Sequence, residues 1–318
     1  MRAIQVTEHG GPEVLRIATV EEPIETPGSI RLAVTSAGVN FADTMISRDQ
    51  YVRPTELPYV PGTEVVGTDS TGRRMVGLTT TGGYAEFALV DASRSAAVPD
   101  GVTDAQALAL VNQGLTAWHL VHTSARVLTG ESVLVHAAAG GVGSIAVQLA
   151  HIAGAFVIAS VSSDEKAVAA KDLGADATID SALPKDELAA AILAANNGRP
   201  VDVVLDGTGG DAFSASLESL APFGRLVHFG VSGGQMAPLV DPWSLTVGSR
   251  GVMGFYNRDA FELPGGFRSP LATMFEQTLS GTLRHLDSAP YALEDAGVAH
   301  ADLLGRRTSG KVVIAVAP

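Results

Sequence analysis

Apolar and polar positions change their period once along the chain. Up to about residue 100 the apolar residues fall in short runs rich in β-branched side chains: Arg2–Thr7, Val14–Val20, Ser29–Ala37, Glu64–Thr68, Met75–Thr79 and Tyr84–Val90. Gly10-Gly11-Pro12, Pro27-Gly28, Pro61-Gly62 and Gly82-Gly83 separate them, so the runs read as strands of a small barrel or sandwich. Thr103 and Gln106 form a capping-box pattern that opens a short helix over Thr103–Leu110, and Leu115–Thr123 reads as another. From Ser132 strands and helices alternate. Strands are predicted near Val133–Ala137, Ala155–Val161, Ala177–Ile179, Val201–Asp206 and Arg225–Gly230. Helices are predicted near Val142–Ala153, Asp164–Leu173, Lys185–Ala195 and Asp211–Leu220. That alternation predicts an α/β fold, a doubly wound parallel sheet covered on both faces, with Ser249–Phe255 as a sixth strand at its edge. After Pro264-Gly265-Gly266, Ser269–Ser280 and Leu293–Leu304 read as helices, and Lys311–Val316 as a strand that returns to the N-terminal β-rich part.

Within this pattern, Ser132–Gly154 holds the first candidate chemistry. An apolar strand runs into Ala137-Ala138-Ala139-Gly140-Gly141-Val142-Gly143, and Ile145, Leu149 and Ile152 follow at helical spacing. A strand, a glycine turn and a helix N-terminus together offer unpaired N–H groups and a positive dipole end to a pyrophosphate. In the pattern G-x-G-x-x-G, Ala138 takes the place of the first glycine. The next strand ends Val161-Ser162-Ser163-Asp164-Glu165-Lys166, with serines where a NAD-specific site carries its ribose-binding acid. Hydroxyls and a cation suit a 2′-phosphate, so NADPH is the expected cofactor. Asp164 is read as the N-cap of the helix that follows; the alternative is a displaced NAD acid.

Composition narrows the classes. The 318 residues suggest about two domains, and 46% hydrophobic content supplies their cores. A net charge of −13 without any basic run disfavours nucleic acid. The chain has no cysteine, which removes disulfides, thiolate nucleophiles and thiolate-held metals. No apolar run is long enough to span a membrane and Met1–Thr7 lacks a signal-peptide core, so a soluble cytoplasmic protein is expected.

Several motifs then occur in a particular order: Gly38-Val39-Asn40-Phe41-Ala42-Asp43, Pro61-Gly62-Thr63-Glu64, Gly83-Tyr84-Ala85-Glu86, Gly114-Leu115-Thr116-Ala117-Trp118 and His136 to Gly143. Leu173-Gly174-Ala175-Asp176 and Arg306 with Gly310-Lys311 extend the series. Across nearly its whole length the chain resembles the zinc-free quinone oxidoreductases, the zeta-crystallin-like branch of the medium-chain dehydrogenase/reductase superfamily. Ala137-x-x-Gly140-x-x-Gly143 is that branch's usual form of the loop. The resemblance implies a GroES-like β-barrel catalytic domain from residues 1–115 and 263–318, a Rossmann domain over 116–262, and a site in the cleft between them. It also implies a homodimer through the Rossmann edge strand near Ser249–Phe255. By resemblance NADPH is met by Asn40, Thr116, Gly140, Gly141, Val142, Ser162, Lys166, Phe229, Gly230, Ser232 and Arg306. Two departures stand out. Ser181 follows Ile179-Asp180 where an aromatic residue usually helps to hold the 2′-phosphate, and the segment Gly67–Arg73 is shorter than in relatives, so that one wall of the entrance is either more open or built from elsewhere.

No metal is expected. The positions that hold catalytic zinc in other branches are Asn40 and Thr63, and neither is a zinc ligand. His119 and His122, three apart on a predicted helix, have no third ligand nearby and read as surface or core residues. His136 and His228 read as packed or backbone-bonded strand residues. Around the expected nicotinamide the catalytic candidates are Asn40, Asp43, Tyr51 and Thr63. Asn40 would position ribose or a substrate oxygen, Tyr51 would donate its phenolic proton, and Thr63 stands where the ligand was. Asp43 is either a site residue or a local hydrogen-bonding group, and Tyr51 either faces substrate or is an exposed loop residue. Tyr59 and Tyr84 read as packing, and Trp243 as a helix-start anchor or a cleft residue. The function expected from the resemblance is NADPH-dependent hydride transfer to quinones or α,β-unsaturated carbonyl compounds. The alternatives are an enoyl-thioester or alkenal reductase and a non-catalytic NADPH-binding protein.

Overall fold

The computed structural model describes residues 1–286 and 288–316. The chain divides into two compact units. One is Met1–Gln113 with the return segment that begins at Leu263, and the other is Gly114–Glu262.

In the first unit, β1 (Arg2–Gln5) and β2 (Arg16–Thr19) form an antiparallel pair. The eleven-residue β3 (Ser29–Val39) organises the rest and leads directly into α1 (Phe41–Ser47). It pairs antiparallel with β4 (Glu64–Thr68), which pairs in turn with β5 (Arg74–Leu78). It also pairs with β6 (Phe87–Asp91), while β7 (Ser95–Ala97) lies on β5. Leu32, Val34, Ala37 and Val39 of β3 enter a core with Ile4, Val65, Tyr84 and Val90. The six N-terminal runs thus become strands, with one shift: Val14–Val20 opens as a single 3₁₀ turn, Pro12–Val14, before β2. The segment Gly67–Arg73 belongs to a tight β4–β5 hairpin in which the Asp69 carboxylate accepts from the Thr71 and Arg73 N–H groups. The helix α1 and the strand β7 have no counterpart in the predicted pattern. Asn40 at its N-cap and Asp43 three residues later are the local signature of α1.

The Thr103 capping box is present at the start of α2 (Asp104–Leu108). Ala109–Gly114 then continues as a π-helical turn, α3 (Leu115–Trp118) is a single α turn, and His119–Ser124 is π-helical again. The helices predicted over Thr103–Leu110 and Leu115–Thr123 are therefore parts of one wound segment with two π turns. No residue signature distinguishes i+5 from i+4 bonding in such a stretch.

The second unit is the doubly wound half. It comprises β8 (Ser132–Val135), α4 (Gly141–Ile152), β9 (Phe156–Val161), α5 (Asp164–Asp172), β10 (Ala177–Asp180), α6 (Lys185–Ala195), β11 (Val201–Asp206) and α7 (Gly210–Glu218). It continues through β12 (Leu220–His228), α8 (Pro242–Gly248), β13 (Gly251–Gly254) and α9 (Asn257–Phe261). The six strands are parallel in the order β10-β9-β8-β11-β12-β13. All four residues of β8 are buried, as expected for a central strand covered on both faces. The strand order reverses between β8 and β11, the crevice where such sheets bind ligands. Ser163, not Asp164, is the N-cap of α5: its hydroxyl accepts from the Lys166 N–H, and Asp164 is the first helical residue. A serine oxygen is as good an acceptor as a carboxylate here and sits one residue earlier.

The return segment holds α10 (Arg268–Leu279), β14 (Tyr291–Ala292), α11 (Ala296–Leu304) and β15 (Val312–Ala315). β15 pairs antiparallel with β3, with Val312 opposite Val39 and Ile314 opposite Ala37. The last run therefore returns to the N-terminal sheet as its pattern predicts.

The start of α4 depends on close backbone approach. A Cβ at Gly143 would lie 2.2 Å from the Ala137 carbonyl oxygen, so only glycine lets the helix rest on the turn. Gly143→Ala is expected to cost about 1–3 kcal/mol through the forced shift. Calorimetry should show the melting temperature lowered by several degrees.

Candidate active site

The sheet unit gathers a buried polar cluster at the end of β3. Asn40 ends the strand and begins α1, which places its backbone N–H on the Asp43 carboxylate, 2.8 Å from Oδ2. The Asn40 side chain turns away from the helix. Its Nδ2 lies 3.4 Å from Thr63 Oγ1, and its Oδ1 accepts from Gln113 Nε2 and Lys311 Nζ, each at 3.1 Å. Thr63 Oγ1 is 3.4 Å from Asp43 Oδ1. Asn40, Asp43 and Thr63 are thus brought together. Tyr51 lies half-buried in the loop after α1.

Lys311 and Glu64 form an ion pair whose side chains are 3% and 0% exposed, so neither charge is tolerated without the other. Lys311 also donates to the Val39 carbonyl at 3.1 Å. A Cβ at Gly38 would enter this pair, 2.6 Å from the lysine Cε, which accounts for a glycine in mid-strand. Tyr84 donates to Asp43 Oδ2 at 3.3 Å, and its oxygen lies 3.1 Å from His300 Nε2. Tyr84 is therefore a hydrogen-bonding member of the cluster and not only a packing residue. Burial is the main force on its ionisable members. It lifts Asp43 to about 7, with Glu64 adding to the rise and the Asn40 N–H, Lys311 and Tyr84 opposing it. It pushes Tyr84 well up and holds His300 down at about 4.

In the doubly wound unit the predicted cofactor residues collect at the C-terminal ends of the strands. Gly140 caps α4 with extended backbone, and Gly141 and Val142 form its first turn, where N–H groups lack intrahelical acceptors. Ser162 is exposed just past β9, and Lys166 lies in the first turn of α5. Ser181, on the neighbouring strand end, donates its N–H to Val161 O at 2.8 Å. Phe229, Gly230 and Ser232 follow β12; Ser232 Oγ donates to Gly207 O at 2.9 Å. Thr116 is buried on α3 and its hydroxyl lies 3.5 Å from Asn257 Nδ2. Arg306 belongs to the other unit, exposed in the turn after α11 with a left-handed φ of 57°.

Pattern alone missed Asp206. Its buried carboxylate accepts from the Thr208 and Gly209 N–H groups at 2.8 and 3.1 Å and bonds His228 Nδ1 at 2.8 Å. It thereby pins the loops after β11 and β12. His228 is held by this side chain and His136 by Ser216 Oγ at 2.7 Å, so both have side-chain rather than backbone partners. An acid at the end of an apolar strand, Val203-Val204-Leu205-Asp206, was the available signal. His119 is buried and bonded to Thr123, and His122 packs on the Trp118 ring. Trp243 follows the Asp241 N-cap of α8, and its side chain is largely exposed. Among the described residues no three His, Asp or Glu side chains gather as metal ligands.

A family model described as zinc-binding dehydrogenase matches residues 141–269. The residues at Asn40 and Thr63 do not fit zinc: the Asn40 oxygen already faces an ammonium group, which would repel a dication. The chain is 33% identical to a quinone oxidoreductase of Pseudomonas aeruginosa, over 98% of this chain and 99% of that one. A mycobacterial protein solved with NADPH is 38% identical with a TM-score of 0.94, covering 99% of this chain and 100% of the other. The Escherichia coli quinone oxidoreductase complexed with NADPH is 30% identical with a TM-score of 0.93, over 99% of this chain and 100% of that one. With a parallel sheet that reverses at β8 and β11, a separate sheet unit and relatives matched end to end, this chain belongs to the quinone oxidoreductase family of medium-chain dehydrogenases/reductases.

Proposed function

We propose that this protein is a cytoplasmic NADPH-dependent reductase that transfers hydride to quinones or α,β-unsaturated carbonyl compounds without zinc. The observation that carries the reading is the Asn40–Thr63 pair, neutral hydrogen-bonding groups at the positions where zinc-dependent relatives hold their metal. Hydride arrival at a conjugated carbonyl leaves a hydroquinone anion or an enolate. Either is less basic than a saturated alkoxide, so hydrogen-bond donors suffice to stabilise it. Residues 1–115 and 263–318 would form the catalytic domain and 116–262 the cofactor domain.

Gly140, Gly141 and Val142 fit a pyrophosphate, because the N-terminus of the twelve-residue α4 presents its free N–H groups there. Ser162 and Lys166 fit a 2′-phosphate, since Ser163 and not a carboxylate caps α5. Thr116, Phe229, Gly230, Ser232, Arg306 and Asn40 would complete the cofactor contacts. NADPH supplies the hydride; the chain's residues orient it and meet the charge that follows. On the substrate side Asn40, Thr63, Asp43 and Tyr51 are the groups that would bind and protonate the acceptor oxygen. The relatives solved with NADPH support this cofactor.

A homodimer through β13 completes the proposal. This strand pairs with β12 on one side and ends the sheet on the other. In β12 and the segment that leads into β13, Phe223, Met236, Leu239, Trp243 and Val247 are all more than two-thirds exposed, the composition of a covered apolar face.

The purified protein is expected to oxidise NADPH with para-benzoquinone or cyclohexenone and to use NADH poorly. Failure with every quinone, enone and enoyl-CoA tested, despite tight NADPH binding, would leave a cofactor-binding module. Lys166→Ala should raise KM for NADPH by about 10–100-fold, the worth of a charge-assisted hydrogen bond, and leave KM for NADH unchanged. Trp243→Glu combined with Val247→Lys is expected to halve the mass seen in sedimentation velocity.

A further inference from the structure

Donor and acceptor capacities in the cluster around Asp43 fix where a proton resides. Lys311 Nζ has only hydrogens to offer, so the Asn40 atom 3.1 Å from it is the amide oxygen. The amide nitrogen therefore faces Thr63 and donates to Oγ1. On the other side of Asp43, burial keeps His300 neutral around neutral pH, with Arg48 as its charged neighbour. The Tyr84 hydroxyl proton points at Asp43 Oδ2, so His300 Nε2 is the donor in its contact with the Tyr84 oxygen. The Asn40 backbone N–H reaches the same Oδ2. With two donors converging on Oδ2, the proton of a neutral Asp43 belongs on Oδ1, the oxygen that faces Thr63 Oγ1 at 3.4 Å.

The charge state of Asp43 then sets the direction of the Thr63 hydroxyl. Against a carboxylate, the Thr63 O–H must donate inward. Against a protonated Asp43, Thr63 Oγ1 accepts from both Oδ1 and Asn40 Nδ2, and its own hydrogen is free to point outward. Thr63 is also the member with access: it is half-buried, whereas Asn40 and Asp43 are 7% and 1% exposed.

We propose that Thr63 and Asp43 form a proton relay, in which Thr63 Oγ1 protonates the substrate oxygen, Asp43 Oδ1 resupplies Thr63, and Tyr84 and His300 are positioning residues that keep the acid proton on Oδ1. The relay rests on the reductase reading above. Once the conjugated system has received a hydride from NADPH, its oxygen carries the electron pair as negative charge. A new O–H bond forms there as the Thr63 O–H bond breaks. The Asp43 O–H bond breaks as the Thr63 O–H bond re-forms, and the resulting carboxylate takes a proton from water through Thr63 before the next turnover. Burial and Glu64 raise Asp43 to about 7, against the Asn40 N–H, Lys311 and Tyr84, so the acid form is available at neutral pH. Tyr59, whose ionisation is opposed by burial and then by the Asp43 charge, is a further titratable neighbour.

The test is kcat against pH with para-benzoquinone and cyclohexenone, alongside an infrared pH titration of the protein without substrate. Only protonated Asp43 can donate, so kcat should fall as pH rises through about 7, and a protonated-carboxyl stretch should disappear over the same range. Asp43→Asn should remove that stretch. Asp43→Asn and Thr63→Val should each lower kcat by about 100-fold and abolish the fall, while Thr63→Ser restores it. Tyr84→Phe takes a donor from the carboxylate and should move the fall to higher pH, a shift that lost packing alone would not produce. NADPH fluorescence titration checks that each variant keeps a folded cofactor domain. Turnover that is flat through neutrality, or unchanged by Thr63→Val, overturns the relay alone. No NADPH oxidation by the wild type with any acceptor overturns the reductase reading, and the relay with it.

Discussion

A lysine ammonium almost fully removed from water is the constraint on which the sheet unit depends. Lys311 enters at the start of β15 and finds Glu64, the Val39 carbonyl and the Asn40 amide oxygen, all brought by β3 and β4. Breaking such a buried pair by deleting one partner costs about 3–5 kcal/mol, because a lone charge is left behind. The pair therefore specifies that β15 lies beside β3 in one register, with Val312 opposite Val39. It also needs Gly38, where any side chain would occupy the space of the two charges.

The same lysine orders the neutral groups next to it. Because an ammonium accepts nothing, it fixes the Asn40 amide, and the amide fixes what Thr63 receives. Asp43 is then caught between a polar chain from Lys311 and another from His300 through Tyr84. These groups come from the end of β3, α1, the start of β4, the bend ahead of β6 and α11, so local sequence could not assemble them. In the doubly wound unit the arrangement is simpler. Parallel pairing places every strand's C-terminal end at one edge of the sheet, and Asp206 ties the ends of β11 and β12 together there.

The alternating strand–helix period after Ser132 was legible because parallel sheets impose it: β8, β9 and β11 are nearly continuous apolar runs, and glycine marks the turn into α4. The places of Gly140, Gly141 and Val142 at the start of α4, and of Ser162 and Lys166 after β9, were legible for the same reason. Three positions were read less well. Asp164 was expected to cap α5, but the preceding serine takes that role. Tyr84 was assigned to packing because an aromatic residue beside alanine carries no local sign that its hydroxyl meets a carboxylate. The π turns around α3 were missed because no residue signature separates i+5 from i+4 bonding there.

By itself, the sequence determined the two architectures, the glycine turn into α4, the hydroxyl-rich end of β9 and the return of the last strand. These follow from periodicity and from residues whose backbone or charge preferences act within a few positions. Tertiary structure alone decided the polarity of the cluster: which oxygen of Asp43 is engaged, which way the Asn40 amide points, and that His300, more than two hundred residues downstream, reaches Tyr84. The physical reason is that burial raises the energy of every unpaired polar atom, so donors and acceptors must be matched across whichever elements the core brings into contact.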